Sequence, residues 1–568
     1  MKLFPTLGLA LGLLTPLTTA GKATTWTGWG GSHLNNHWAA DNHDLTSETI
    51  SSLKIHCKID DPIGQSAPAA IDGDFAYYPT WSGSFIALNY KTCTPLWALN
   101  VTDLISQYSP LTPYQSLINA AVSRTSAQID PTLRVLFFGT QIHALLVAVD
   151  LDTGALLATT QVNPHELAVV TASPTYYDNT LFVGAASGEE NAAYSTNGTY
   201  PCCSFVGNAA AFRFRRVDTT GGKFTTLWNV TTIPAHLAPT TPPTPGDPAT
   251  FGWAGAGVWG SQPSIDTARN QVFFATGNTY TTPQEYFHCG EPDAGKDCFP
   301  SYIWQESVFA LDVRTGHANW VRRLDELDAW TLICGAEGLP RNETLCPFPP
   351  GPDADFGMAP TIVKGAAGKG RDLLTIGQKS GVLYGLEADN GAVLWSVLTS
   401  PGSALAGLSW GVAADGEKVY YTGINAGQHE WVLQPGNVTT VKNSVIGAAQ
   451  ASTGELLWQV PVPDGAASLV IPAVVGDLVL TGITGSFGFT SVGPGSLLAV
   501  SQKTGKVLWT QELEGPLQGG ISVHGKPASH LSLDDSAMLC RPPFLDLSRG
   551  IGYSYSSFSL CSIRGNNN

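Results

Sequence analysis

Short apolar runs alternate with polar turns along most of this chain, and one arrangement of the two keeps returning. A strand-like apolar run ends in Asp or a similar residue, passes through a turn holding Thr-Gly or Asn-Gly, and resumes as a run that closes on Trp. The copies are FIALNYKTCTPLW (85–97), LVAVDLDTGALLA (146–158), VFALDVRTGHANW (308–320), LYGLEADNGAVLW (383–395), IGAAQASTGELLW (446–458) and LLAVSQKTGKVLW (497–509). A seventh, AAAFRFRRVDTTGGKFTTLW (209–228), has a longer turn. Alternation predicts strands, and the Gly marks a hairpin turn whose backbone needs a positive φ. Hairpins recurring every 50 to 100 residues or so predict a radial arrangement. The expected fold is all-β, a β-propeller of eight blades with seven as the alternative. Residues 26–55 lack the turn and are expected to complete the last blade with the C-terminal strands, closing the ring. The recurring Trp97, Trp320, Trp395, Trp458 and Trp509 are expected to be wedges between blades rather than site residues.

Composition supports this and narrows the setting. Charged residues make up only 13%, while 61 Gly, 38 Pro and 16 Trp suit short strands joined by turns. A net charge of −16 and a pI near 5.1 disfavour nucleic acid and anionic membrane surfaces as partners. Residues 1–20 carry one Lys, an apolar run and a small-residue ending, and are read as a signal peptide; the remainder, 21–568, is read as one domain. Asn-x-Thr sequons at Asn100, Asn197, Asn229, Asn342 and Asn437 fit a secreted, extracellular glycoprotein. The stretch 525–549 lacks alternation and is read as an insertion or gene-model artefact, with a closing strand following at 552–560.

Ten cysteines fit an oxidising compartment. Short separations suggest Cys57 with Cys93, Cys289 with Cys298, Cys334 with Cys346 and Cys540 with Cys561, leaving Cys202 and Cys203 for each other. The other reading is that Cys202 and Cys203 staple two distant segments. A bridge between neighbours closes no loop; what it offers is a rigid, flat, polarisable surface. Two carboxylates, Glu189 and Glu190, precede it by a few residues, which suggests a floor for a planar ligand beside a cation. No Cys-x-x-Cys-His occurs, so no attached c-type haem is expected.

The repeats, the vicinal cysteines and several inter-repeat stretches together resemble the quinoprotein alcohol dehydrogenases that bind pyrroloquinoline quinone with calcium, and above all polyvinyl-alcohol dehydrogenase-like proteins. The likeness runs through WGGSHLNNHWA, GEE with CCSF, VWGSQPSID, TGNTYTTP, DAWTLIC, GPDADFG, GQKSGVLYGLE and LSWGVAADG, in order, to about residue 523. It implies a site on the propeller axis. Cys202 and Cys203 would lie on one face of the quinone and Trp259 on the other, with Lys379, Thr171 and Trp410 as further cofactor contacts. Glu189, rather than Glu190, with Asn278 and Asp355 would bind calcium, all three offering the oxygen ligands that a hard cation takes.

Two departures from the family pattern matter. Where relatives have Asp-x-Trp-Asp, this chain has Asp328-Ala329-Trp330-Thr331, so Thr331 cannot be the catalytic base. Asp355 is expected to take that role, with Asp353 as second choice. Val206 stands where relatives have an arginine that contacts the cofactor, so an anionic quinone would lose a cation there. The expected activity is oxidation of an alcohol, small or polymeric, with electrons passed to an external acceptor. The alternative is a quinone-free binding module.

Overall fold

In the computed structural model, the described residues are 26–524 except 62, 338, 347–349, 405–406, 437 and 487–492, together with the backbone of the strands Ser536–Leu539 and Phe558–Gly565. They form an all-β propeller whose larger sheets are antiparallel, seven with four strands and one with five, accompanied by three two-stranded pairings, one of them parallel. In a typical sheet the innermost strand Thr361–Val363 pairs with Leu373–Gly377, then Val382–Glu387, then Val393–Leu398. The predicted hairpins are the third and fourth strands. Among the described residues no helix is long and apolar enough to cross a membrane.

The recurring Trp latches five of the sheets to the next. Trp97, Trp228, Trp320, Trp395 and Trp458 donate their indole N–H to the backbone carbonyls of Leu151, Val313, Ala388, Ala451 and Gln502, at 2.9–3.2 Å. Each ring lies on the turn glycine of the following hairpin. At Gly454 (φ 74°) a Cβ atom would sit 2.5 Å from the Trp395 ring, so this position requires glycine both for its backbone and for the close approach. Trp509 instead packs against the cluster that contains Leu53 and Cys57.

Ring closure differs from the sequence reading in its details. The strand Leu53–Asp61 pairs with Phe558–Gly565, which pairs with Ser536–Leu539 and through it with Ser522–His524. The N-terminal contribution to this sheet is therefore only the end of the stretch 26–55, and a short strand lies within 525–549. The preceding residues take the axis instead. Trp26 O, His33 O, Leu34 O, Asn36 O and His37 O accept from Ile71, Ile265, Ile362, Ala414 and Val474, innermost-strand residues of five different sheets. Carbonyls that the sequence left without partners thus bind inner edges that have no further strand to pair with. The expected leader at 1–20 and the expected Cys540 to Cys561 pairing lie outside the described residues. The other four pairings, Cys57–Cys93, Cys202–Cys203, Cys289–Cys298 and Cys334–Cys346, are present.

Strand direction sorts the loops. First-to-second and third-to-fourth turns fall at one end of the propeller. Second-to-third connections and sheet-to-sheet crossovers fall at the other. The Thr-Gly turns therefore occupy the end opposite the crossovers. We expect Gly454→Val to destabilise the fold by roughly 2–4 kcal/mol, from left-handed strain and overpacking. Trp395→Phe, losing only the indole bond, should cost about 1 kcal/mol. Thermal melting checks both, and equal melting temperatures for the two variants would contradict the latch.

Candidate functional site

The segments that lead into the innermost strands stand side by side around the axis. Ser126 Oγ donates to Pro68 O (2.7 Å), and Ser126 N donates to Ser173 Oγ (2.9 Å). Ser173 N donates to Ser261 O (3.1 Å), Ala359 N to Ser261 Oγ (2.9 Å), and Trp410 N to Gly357 O (3.0 Å). Thr171, Trp259, Asp355 and Trp410 lie on these segments. Lys379 and Asn278 lie on second-to-third connections, after Leu373–Gly377 and Gln271–Ala275, at the same end. So does the long connection between Thr180–Ser187 and Asn208–Arg216, which carries Glu189, Glu190, Cys202 and Cys203.

Lys379 is the centre of the cluster. Its ammonium donates to both Asp353 oxygens (2.9 and 2.8 Å) and to Asp355 Oδ2 (2.9 Å), and lies 5.2 Å from the centre of the Trp259 ring. Asp355 Oδ1 accepts from the backbone N–H of Asn278 (2.6 Å). Asn278 is further held by its carboxamide N–H₂, which donates to Trp330 O (2.8 Å) and Thr279 O (3.1 Å). Trp259 packs over Gly357, where a Cβ atom would be 2.8 Å from its ring. Burial would lower the Lys379 pKa, but the Asp353, Asp355 and Glu190 carboxylates outweigh it and hold the pKa above the usual range.

Glu190, not Glu189, faces this cluster. Burial pushes the Glu190 carboxyl well above the carboxylate range, the Asp355 charge pushes it further, and Lys379 and a hydrogen bond with Asn278 oppose the rise. Glu189 turns the other way and is fully engaged. It accepts from Ser204 N (3.0 and 3.1 Å), Phe205 N (2.8 Å) and Tyr200 O–H (3.0 Å), and His165 Nε2 lies 3.4 Å away. Its work is to anchor the backbone that follows the Cys202–Cys203 ring. Adjacent positions on the helix Glu189–Ser195 point in different directions, and spacing from Gly184 could not tell which one faces the axis.

Asp328 is a further participant that the sequence reading passed over. It is buried, and its carboxylate accepts from Asp353 N (3.3 Å) and Ala354 N (2.7 Å), shaping the loop that presents Asp353 and Asp355. Burial pushes its pKa up to about 7. Beyond Lys379 and Asp353 opens a cavity of about 810 Å³, lined by Trp330, Asp325, Glu337 and Arg341 and walled by the loop of the Cys334–Cys346 bridge. Thr171 Oγ1 and Thr331 Oγ1 are buried without hydrogen-bond partners among the described residues. Val206 does not face the cluster. Its side chain packs against the apolar group around Trp253, Phe299 and Ile303, so a cation at that position would enter a hydrophobic cluster rather than the axis.

Residues 32–332 match the family described as Glucose/ethanol/alcohol dehydrogenase, beta-propeller domain, and residues 378–538 the one described as Outer membrane protein assembly factor BamB. Proteins named Polyvinylalcohol dehydrogenase from Pseudomonas sp and Sphingopyxis sp. (strain 113P3) are each 30% identical over 504 residues, covering 85% and 86% of this chain and 67% of each relative. Two solved structures share the fold at 14% identity. A europium-containing methanol dehydrogenase gives a TM-score of 0.65 over 95% of this chain and 98% of its own. A quinohemoprotein alcohol dehydrogenase from Comamonas testosteroni gives 0.66 over 97% and 82%.

The Asp328 environment has a consequence for stability. Its folded pKa of about 7 lies above the ordinary 3.8, so between these values the folded state binds more protons than the unfolded one. The associated stability is complete below about pH 4 and is lost as pH rises through about 7. Asp328→Asn should make the decline in melting temperature across this window shallower by about one proton's linkage. An unchanged slope in melting curves from pH 4 to 8 would contradict the assignment.

Proposed function

This chain belongs to the quinone-dependent glucose/ethanol/alcohol dehydrogenase β-propeller family, and from that premise we propose that it oxidises alcohols at the axial site with bound pyrroloquinoline quinone and calcium. The observation that carries the reading is the convergence of Glu190, Asn278, Asp355 and Lys379 from three different sheets at one end of the axis. We read the ring as eight-bladed, counting the five-stranded sheet as a blade. The strand pairing supports this, and that sheet carries Glu190.

The donor set suits the cofactors. Two carboxylates and a carboxamide oxygen are hard oxygen ligands for calcium. The unpartnered Thr171 and Thr331 hydroxyls and the Trp259 ring fit a polar, planar guest. Glu190, Asn278 and Asp355 would hold the metal; Cys202, Cys203, Trp259, Thr171, Trp410 and Lys379 would hold the quinone. When bound, the quinone supplies a two-electron acceptor and the metal a Lewis acid.

The protein's own part is positioning and proton transfer. Lys379 and the Asn278 N–H grip the two oxygens of Asp355 from different sides and fix its plane, a prerequisite for accepting the alcohol proton in a defined direction. Asp328 holds the loop against backbone drift. The cavity gives the carbinol carbon access past Trp330. Secondary and polymeric alcohols are the first substrates to test, because two relatives bear the name polyvinylalcohol dehydrogenase. No covalent haem is expected, and electrons would leave to an external acceptor. We also propose export, in keeping with four disulfides and exposed sequon asparagines at Asn100, Asn197 and Asn229.

The test is reconstitution. Purified protein given the quinone and calcium should retain a quinone chromophore and reduce a dye when an alcohol is added. Asp355→Asn should lose dye reduction by roughly 10²–10⁴-fold while keeping the chromophore; unchanged turnover would move the base elsewhere. Glu190→Gln should raise the calcium concentration needed for chromophore retention by about tenfold or more. If Glu190→Gln has no effect on that requirement, the metal assignment fails. A folded wild type that retains no chromophore would favour a quinone-free binding module.

A further inference from the structure

Residues 26–39 run along the axis as a strap held by single backbone bonds rather than by a ladder. Its carbonyls accept from Ile71, Ile265, Ile362, Ala414 and Val474, one donor in each of five sheets. In return Ala39 N donates to Val474 O (2.9 Å) and Gly28 N to Ala127 O (3.0 Å). Local conformation opposes this course, because Asn35 (φ 55°) and His37 (φ 49°) both sit in the left-handed region although neither is glycine. The strap is seated by its partners and not by its own backbone preference.

His37 is the side chain least suited to its place. It is fully buried, and neither ring nitrogen has a hydrogen-bond partner among the described residues. The Trp26 ring meets it edge-on with centres 6.3 Å apart, and its Nε2, Ile471 Cγ2 and Trp29 Nε1 lie 3.1–3.7 Å from the point that a Cβ atom on Gly411 would occupy. No charged group acts on the ring. The segments packed against it, 26–29, 408–414 and 469–475, contain no Asp, Glu, Lys, Arg or His. His33, on the strap itself, faces Lys364 and Asp266 instead. Asp415 is occupied with Tyr420 O–H and Lys418 N (both 2.8 Å), and Asp41 and His43 are exposed.

A neutral imidazole in this place leaves one N–H and one lone pair unmatched, whereas a protonated one would bury two unmatched donors and an unpaired charge. Burial holds the His37 pKa down to about 3, against 6.5 for the ring in water. Above pH 6.5 the ring is neutral whether the strap is seated or released, so seating is unopposed. As pH falls from there toward 3, the released strap takes up a proton that the seated one cannot hold, and the released fraction grows about tenfold per pH unit. Asp328 has the opposite sign and cannot produce an acid release.

Release has a consequence at the candidate site. Trp29 donates its indole N–H to Trp410 O (2.8 Å), and Trp29, Ala67, Ile471 and Trp410 pack as one apolar group. Trp410 N donates in turn to Gly357 O (3.0 Å), the residue under the Trp259 ring. Unseating the strap takes this support away.

We propose that residues 26–39 form an acid-released strap with His37 as its trigger: protonation of the ring frees the segment from the inner edges of five sheets and loosens Trp410. The proposal goes beyond the quinone reading and rests on the fold alone.

The experiment is backbone hydrogen exchange of full-length wild type, His37→Asn and His37→Gln between pH 7.5 and 4.5, read by peptide mass spectrometry and referred to the intrinsic rate at each pH. Asparagine tolerates the left-handed backbone and does not titrate in this range. In wild type, protection of peptides from 26–39 and of the amides of Ile71, Ile265, Ile362, Ala414 and Val474 should fall about 100-fold from pH 6.5 to pH 4.5, while the strand Leu373–Gly377 keeps its protection. Both variants should show strap protection that no longer changes with pH. Near-UV circular dichroism establishes that each variant is folded. If neither is, wild type carries the test through the His37 ring C2–H, whose exchange relative to free histidine should rise in step with the strap amides. Equal strap protection in wild type at pH 6.5 and 4.5 overturns the proposal, and so does loss of protection from strap and blade strands together. An acid-dependent loss that persists in His37→Asn overturns His37 as the trigger. None of these outcomes bears on the quinone reading, which reconstitution tests separately.

Discussion

Antiparallel alternation is the constraint from which the rest of this structure follows. Each strand reverses its predecessor, so a four-stranded blade must send its second-to-third connection and its crossover to the same end. Repeated around a ring, this brings residues hundreds of positions apart in sequence to one axial face. Asn278, Asp355 and Lys379 meet at hydrogen-bond distance although each belongs to a different loop. The tight Thr-Gly turns are confined to the far end, where they seat the indoles of neighbouring sheets. One end carries the latching that holds the ring together, and the other is free to vary its loops.

The axial end is organised by charge as much as by shape. Burying three carboxylates around one ammonium is unfavourable unless each is hydrogen-bonded. Asp328 and Asp355 illustrate the solution, because both take backbone N–H donors that hold loops as well as charges in place. Glu189 applies the same logic one layer out. Its two oxygens collect the backbone N–H groups that follow the Cys202–Cys203 ring, and so set the position of that flat surface. A metal ion would offset the remaining negative charge. Such a centre belongs on a rigid scaffold, since small displacements of charged groups in a low-dielectric site change their energies steeply.

Legibility in the sequence depended on whether a feature was local. The Trp wedges were readable because the hairpin, its turn glycine and its terminal Trp lie within some thirteen residues. Three disulfide pairings were readable from separation, and Cys202–Cys203 as the pair that the others left over. Glu190 was not, because choosing between neighbouring carboxylates requires the direction of each side chain relative to the axis. The surroundings of Val206 were hidden for a related reason: similarity of position along the chain does not specify the face on which a side chain emerges. The axial course of residues 26–39 carried no periodic signal at all, since its backbone pairs with single residues of several strands rather than with one continuous partner.

Taken alone, the sequence determined the kind of fold and the chemical repertoire. Alternation, repeated turns and export-compatible cysteines act over short distances, and the physics of strands and turns is local. It also named most members of the candidate site, because a resemblance carried by ordered motifs preserves residue type. The tertiary structure decided which of those side chains share a space. That Glu189 is an anchor, that Asp328 shapes the loop bearing Asp353 and Asp355, and that His37 is enclosed on the axis between segments of other sheets are consequences of closing the ring. The physical reason is that charge interactions fall with distance through space, and only the closed propeller determines those distances.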